Sequence, residues 1–159
     1  MARVLIVGCG CRGRSLAGAL AAAGHTVRGT TRDPARAAPI EAAGAEPVVA
    51  DPDRLGTLMG ALAGVSVVCW LLGSADGSGA LHGERLSALT ERLVDTPVRG
   101  LVYEAAGTVD RELLAGGAAI VRQASQRWHI PVEVVSEDPA NPGRWTGAMA
   151  AAVGRLLGC

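Results

Sequence analysis

Residues 4–20 read VLIVGCGCRGRSLAGAL, and this stretch decides the fold. Residues 4–7 are a short aliphatic, largely β-branched run, which predicts a buried strand. Residues 14–23 are rich in Ala and Leu, which predicts a helix. The turn between them has the spacing GxGxxG, formed by Gly8, Gly10 and Gly13. The chain therefore opens with a strand, a glycine-rich turn and a helix.

The same alternation continues along the chain. Further strands are predicted at residues 26–31, 47–50, 65–72, 98–103 and 131–135, and further helices at 34–43, 53–63, 81–94, within 109–128 (with a bend near Gly116 and Gly117) and at 145–157. Strands that alternate with helices favour a parallel sheet covered on both faces. We therefore expect an α/β fold, a doubly wound parallel six-stranded sheet of Rossmann type in the order 3-2-1-4-5-6 with three α/β/α layers.

Composition excludes several classes of function. The 159 residues have a formal net charge of zero, which argues against nucleic-acid binding, and all 15 basic residues are Arg, which excludes lysine chemistry. No apolar run is long enough to span a membrane, and the N-terminus lacks the features of a signal peptide, so we expect a cytoplasmic protein. The four cysteines have no zinc-site spacing, and no metal site is expected; they are Cys9, Cys11, Cys69 and Cys159.

The glycine turn lies where a dinucleotide-binding motif requires it, after a strand and at the opening of a helix. Gly8 permits the tight turn, Gly10 lets the backbone approach a pyrophosphate, and Gly13 lets the helix pack close to the strand. Residues 1–159 are therefore expected to form a single NAD(P)-binding domain. Cys9 and Cys11 flank Gly10; these positions either need small residues, which we favour, or have a redox role.

The end of the second strand indicates which nucleotide binds. It has Thr30, Thr31 and Arg32 where an NAD-preferring domain usually has a carboxylate. Hydroxyls and a guanidinium favour a 2′-phosphate, and Arg12 in the glycine loop adds a second positive group. We therefore expect NADP(H) to be preferred, with NAD(H) as the alternative. Arg32 could instead cap a surface turn, with Asp33 as the N-cap of the next helix.

The ends of the third and fourth strands supply the other cofactor positions. Asp51 either lies beside the adenine or caps the following helix. Leu72, Gly73 and Ser74 should pass near the ribose and nicotinamide side of the cofactor.

No catalytic residue can be assigned, and Tyr103 and Glu104 at the end of the fifth strand are weak candidates. Tyr103 could donate a proton, but a core tyrosine bonded to a neighbour is the favoured interpretation. His82 and His129 are isolated in the sequence. Trp145 either lines the ligand cleft or, as we favour, anchors the last helix.

The pattern VLIVGCGxxG, then LAxxLxxxGHxVxGTTR, then VVADPD resembles atypical short-chain dehydrogenase/reductase proteins of the NAD-dependent epimerase/dehydratase type. The resemblance implies a bound NAD(P)(H), an active site beside strands four and five, and pairing of two copies through helices. The cofactor positions that it implies are Gly8, Gly10, Gly13, Thr31, Arg32 and Asp51. In that family a Lys follows the active-site Tyr by four residues, whereas here Gly107 follows Tyr103, and members with a substrate domain have a longer C-terminal part.

Two functions follow as expectations. The first is a small NADP(H)-dependent oxidoreductase or epimerase-like enzyme that acts on a small-molecule substrate. The alternative is a non-catalytic NAD(P)(H)-sensing regulatory module. The regulatory domain of a potassium-transport system also begins with a strand and GxGxxG, but it usually has an acidic residue at the end of its second strand, so it ranks last.

Overall fold

The computed structural model describes residues 2–75, 77 and 79–158. Within them the strands are β1 (Arg3–Val7), β2 (Thr26–Thr31), β3 (Glu46–Val49), β4 (Val67–Trp70), β5 (Gly100–Glu104) and β6 (Val132–Val135). The α-helices are α1 (Cys11–Ala22), α2 (Ala37–Ala42), α3 (Gly56–Met59), α4 (Glu84–Leu93), α5 (Arg111–Trp128) and α6 (Pro142–Leu156). Short 3-10 helices form at Pro34–Arg36, Gly60–Leu62 and Gly79–His82.

The strands form one parallel sheet in the order β3-β2-β1-β4-β5-β6. The predicted doubly wound order is confirmed. Alternate side chains of β1 enter two separate cores: Leu5 and Val7 pack with α3, α4 and α5, whereas Val4 and Ile6 pack with α1, α2 and α6. This burial on both faces explains why β1 and β4 are almost wholly apolar in sequence.

Several element boundaries differ from the sequence prediction. The helix expected at residues 53–63 is reduced to one turn of α3 and a 3-10 turn, because Gly56 and Gly60 weaken helix formation. The helix expected at 34–43 opens as a 3-10 turn after Asp33, and the strand expected at 65–72 is limited to β4. The helix expected from residue 81 begins at Glu84, after a 3-10 turn.

Helix α5 is continuous through Gly116 and Gly117, the position of the predicted bend. Gly117 has a packing role. A Cβ at this position would collide with the hydroxyl and ring of Tyr103 in β5, so the glycine leaves room for that tyrosine. None of the helices in the described part of the chain combines the length and the apolar character that crossing a bilayer requires.

Candidate functional site

A cleft of about 530 Å³ lies at the carboxyl edge of the sheet, where the order reverses between β1 and β4. Parallel α/β sheets bind ligands at this switch point. Of the predicted cofactor positions, those that line the cleft are Gly8, Cys9, Gly10, Cys11, Arg12, Gly13, Thr30, Thr31, Arg32, Leu72 and Ser74. The structure therefore brings residues from β1, β2 and β4 together around one space.

The three glycines of the loop have different physical roles. Gly8 has a φ of +86°, and a Cβ there would lie 2.6 Å from the Leu71 carbonyl oxygen. A Cβ on Gly13 would lie 3.1 Å from the Gly8 carbonyl oxygen, so this glycine allows α1 to pack close to β1. Gly10 is different, because a Cβ there would have no neighbour within 4 Å. Its open side lets a ligand approach the backbone closely.

The first turn of α1 is arranged to receive an anion. Gly10 is the N-cap, has no side-chain hydrogen bond to supply, and is followed by no acidic residue in the first turn. The N–H of Arg14 donates to the Gly10 carbonyl at 2.8 Å, so the three preceding amides have no acceptor within the helix. Free amides and the positive end of the helix dipole suit a phosphate group. The loop thus fits the pyrophosphate of a dinucleotide.

Strand β2 holds the loop in place. Thr30 is buried, its hydroxyl accepts a hydrogen bond from the N–H of Gly8 at 3.1 Å, and its carbonyl accepts one from the N–H of Cys9 at 3.0 Å. Cys9 points away from the solvent, and its sulfur occupies the space that a Cβ on Gly29 would need. Burial raises the pKa of Cys9 to about 11, with a partly offsetting effect of Arg14. Cys9 is therefore a small core residue, whereas Cys11 is exposed.

The end of β2 forms a positively charged wall of the cleft. The Thr31 hydroxyl accepts a hydrogen bond from the N–H of Asp33 at 3.1 Å, and the Asp33 carboxylate accepts one from Ala35 at 2.9 Å. Asp33 is thus the predicted N-cap, of a 3-10 turn. Arg32 and Arg36 line the cleft on this wall together with Asp33, so the wall has two positive groups and one negative group. Arg36 was not among the sequence candidates; its position one turn after the Asp33 cap was the available signal.

Asp51 and Gly73 are not among the described residues that line the cleft, although their neighbours are. The Asp51 carboxylate accepts a hydrogen bond from the N–H of Asp53 at 2.9 Å, and the Asp51 N–H donates to the Thr57 hydroxyl at 2.8 Å. The Asp51 carboxylate therefore closes a local turn; it does not cap the following helix, because α3 begins at Gly56 and its N-cap, Leu55, has no side-chain cap hydrogen bond. The N–H of Gly73 donates to the carboxylate of Glu104 at 2.8 Å, below the cleft surface.

Glu104 is the centre of a buried polar cluster at the end of β5. It is fully buried, and its carboxylate accepts hydrogen bonds from Trp145 Nε1 at 2.8 Å, Gly73 N at 2.8 Å and Arg12 Nη2 at 3.5 Å. Burial raises the pKa of Glu104, and the bonds from Gly73, Arg12 and Trp145 partly offset this rise. The guanidinium of Arg12 also lies 5.5 Å from the centre of the Trp145 ring. Trp145 consequently both anchors α6 and lines the cleft.

Tyr103 points to the opposite face of the sheet. It is fully buried, and its hydroxyl lies 2.7 Å from His82 Nδ1, while His82 Nε2 lies 3.0 Å from the Leu72 carbonyl oxygen. A carbonyl only accepts, so Nε2 has the proton and Tyr103 donates to Nδ1. Burial raises the pKa of Tyr103 and lowers that of His82, so both groups are held neutral.

Sequence reasoning missed the partners in both clusters. Arg12 and Glu104 are 92 residues apart, Glu104 and Trp145 are 41 apart, and His82 and Tyr103 are 21 apart. The available signal was the strand order, which places the ends of β1, β4 and β5 side by side. His82, treated as isolated in the sequence, is in fact hydrogen-bonded to Tyr103 in β5 and to the backbone of Leu72, which follows β4.

Solved structures with the same fold were found. A candidate NAD-dependent epimerase/dehydratase from Bacillus halodurans has a TM-score of 0.69 at 18% identity, with 87% of this chain and 71% of that chain covered. UDP-glucuronic acid 4-epimerase from Bacillus cereus, in complex with NAD, gives 0.64 at 14% identity, with 83% and 55% covered. Triphenylmethane reductase from Citrobacter sp., complexed with NADP(H), gives 0.63 at 19% identity, with 82% and 48% covered.

These likenesses establish the fold. The chain spans about half the length of the first solved structures that it matches. No curated protein sequence matches the chain. A family model described as NAD(P)H-binding matches residues 8–118, a span that begins at the glycine loop and ends within α5. The model match confirms the NAD(P)-binding part of the predicted resemblance, and the solved epimerase and dehydratase structures share its Rossmann fold. The chain belongs to the NAD(P)H-binding family.

Proposed function

We propose that this protein binds NADP(H) in the cleft and acts as a small oxidoreductase or epimerase-like member of the short-chain dehydrogenase/reductase group. The observation that most supports the proposal is the uncapped first turn of α1, which faces a cleft whose β2 wall has two arginines, Arg32 and Arg36. The uncapped first turn suits an anionic group, and the two arginines suit a second phosphate.

The assignment of the cofactor's parts follows the order of the strands. The pyrophosphate would lie over the amides of residues 11–13, and the 2′-phosphate would lie between Arg32 and Arg36. The adenine would pack beside Ala50 and Pro52 at the end of β3, with Asp51 holding that turn. The nicotinamide side would lie near Ser74, with Gly73 holding the backbone there.

The cofactor, when bound, supplies a hydride for the carbonyl carbon of a substrate. The substrate oxygen then needs a proton. The Tyr103 hydroxyl is committed to His82, and Glu104 is enclosed by three donors. We therefore propose that water at the mouth of the cleft supplies this proton, and that Arg12 and Ser74 orient the substrate oxygen.

The enclosure of both Tyr103 and Glu104 also favours a second candidate, a module that senses NAD(P)(H) without catalysis. NADPH oxidation followed at 340 nm with a panel of aldehydes and ketones separates the two functions. Turnover supports the enzyme. NADPH binding without turnover of any carbonyl supports the sensor.

Calorimetric titration of NADPH and NADH tests the cofactor assignment. We expect Arg32→Ala and Arg36→Ala to weaken NADPH binding about 10- to 100-fold each, because a charge-assisted hydrogen bond to a phosphate is lost, and to leave NADH binding nearly unchanged. Arg92→Ala is the matched control, since Arg92 is an exposed arginine in the last turn of α4, at the opposite edge of the sheet. Equal losses for both nucleotides would contradict the assignment of Arg32 and Arg36 to the 2′-phosphate.

A further inference from the structure

A second cavity, of about 870 Å³, opens on the same edge of the sheet as the cofactor cleft. We name it the β5–β6 groove; its walls are residues 105–108 after β5, residues 136 and 138–140 after β6, and one face of α5. Arg12 and Ser74 line both the groove and the cleft, so the two spaces adjoin. The groove is within the size range of small-molecule sites.

Helix α5 gives the groove a small, apolar middle with positively charged ends. Arg111, Ala115, Ala118 and Arg122 all line it. Their spacing of 4, 7 and 11 residues places them on one face of the helix. The alanine side chains leave space beside the helix, and the two arginines are roughly 16 Å apart along the helix axis.

The charges of the groove are unbalanced. Neither the Arg111 nor the Arg122 guanidinium has a hydrogen bond or ion pair with any residue in the described part of the chain, and both residues are exposed. Among the described lining residues the acidic one is Asp138, whose carboxylate already accepts a hydrogen bond from the N–H of Ala140 at 2.8 Å. Since the whole chain has zero formal charge, this positive excess is local.

We infer that the β5–β6 groove binds the substrate and that the substrate is a small molecule with at least one carboxylate or phosphate group. Arginine presents a planar fork of donors that matches such oxyanions. With its anionic group held by Arg111 or Arg122, the substrate's reacting end would reach Arg12 and Ser74, where the groove meets the cleft. This inference rests on the proposed function, because it takes the nicotinamide to lie beside Ser74.

Calorimetry on the full chain tests the groove. Protein saturated with NADPH is titrated with 2-oxoglutarate, with 3-phosphoglycerate and with the neutral dimethyl ester of 2-oxoglutarate. We expect at least one of the two anions to bind and the ester to bind at least about tenfold more weakly. The double variant Arg111→Ala, Arg122→Ala should lose about 10- to 100-fold in affinity for that anion and keep its affinity for NADPH. Arg127→Ala is the matched control, an exposed arginine of α5 outside the groove.

The inference is overturned if NADPH binds but both anions bind no more tightly than the ester, or if the double variant binds the anion as wild type does. Failure of wild type to bind NADPH would refute the cofactor assignment instead. The anion titrations are therefore repeated without NADPH, so that the groove is tested separately from the cofactor cleft.

Discussion

The two halves of the carboxyl edge are built in different ways. Above β1 and β2, the glycine loop presents backbone: a left-handed Gly8, an open Gly10 and the free amides of α1. Above β4 and β5, the edge is held by buried side chains, in which Glu104 joins Arg12 to Trp145. The half above β1 and β2 depends on the backbone conformation and the open space that glycine provides. The half above β4 and β5 depends on three hydrogen bonds to the Glu104 carboxylate.

The difference has a consequence for mutation. In the glycine loop the backbone forms the site, so an added side chain is tolerated at few positions. The stability of the loop depends little on charged side chains. A buried carboxylate tolerates neither loss of its charge partners nor loss of the carboxylate, because each partner then remains desolvated. Substitutions at Glu104, Gly8 and Gly10 test whether the two halves behave in these two ways.

The largest effect is expected from Glu104→Ala. The change leaves the Trp145 indole N–H, the Gly73 N–H and Arg12 without their acceptor, so we expect the free energy of unfolding to fall by about 3–5 kcal/mol. Urea denaturation followed by circular dichroism measures it. Glu91→Ala, an exposed glutamate of α4, is the control and should change stability by less than about 0.5 kcal/mol. A loss below about 1 kcal/mol for Glu104→Ala would show that the cluster contributes little to the fold.

An intermediate effect is expected from Gly8→Ala, with Gly10→Ala as its matched control. At Gly8 the added methyl meets Leu71 and Leu72 at a φ of +86°, so stability should fall by about 2–4 kcal/mol. At Gly10 the methyl meets no protein atom and projects toward the cleft, so stability should change by less than about 0.5 kcal/mol while NADPH binding weakens. Denaturation and calorimetry on both variants measure the two effects. Unchanged NADPH binding by Gly10→Ala would contradict the assignment of the loop to the pyrophosphate.

The smallest effect is a pH dependence that comes from His82. Burial lowers its pKa below the ordinary value of 6.5, so the unfolded chain takes up a proton more readily than the folded one as the pH falls. The stabilisation is therefore fully present above pH 6.5 and is lost below it, by up to about 1.4 kcal/mol per pH unit. His82→Gln should have a correspondingly shallower dependence between pH 7 and 5 in urea denaturation. If the free energy of unfolding depended on pH in the same way in wild type and His82→Gln, the assignment to His82 would be contradicted. Glu104, whose pKa is raised, contributes equally to both proteins.

The sequence alone predicted the glycine-loop half of the edge, whose residues are neighbours in the chain. The GxGxxG turn, the strand before it and the helix after it are neighbours in sequence, so their spacing predicts their geometry, and the alternation of strands and helices predicts the sheet order. Arg12 was placed in the loop, but its contact with Glu104 joins residues 92 apart in sequence, and the predicted strand order does not say which side chains meet at that edge.

Element ends were predicted less well than element order. The prediction of a full helix at residues 53–63 was wrong because helix propensity there is interrupted by glycines, and the chain forms one α-turn followed by a 3-10 turn. Gly117 suggested a bend, yet its absent side chain is needed by Tyr103, a contact across 14 residues that only the packed structure shows. His82 gave no signal, because a buried histidine is recognised by its partners.

The bond between Trp145 and Glu104 also bears on how the protein is made. The glycine loop leaves the ribosome before the indole that completes the wall of the cleft, which follows it by more than a hundred residues. A nascent chain that has already formed β1 and α1 would still lack this wall. We therefore expect full cofactor affinity only after Trp145 has been synthesised, and we expect a bound dinucleotide to contribute more to the stability of the folded domain than to its early folding steps.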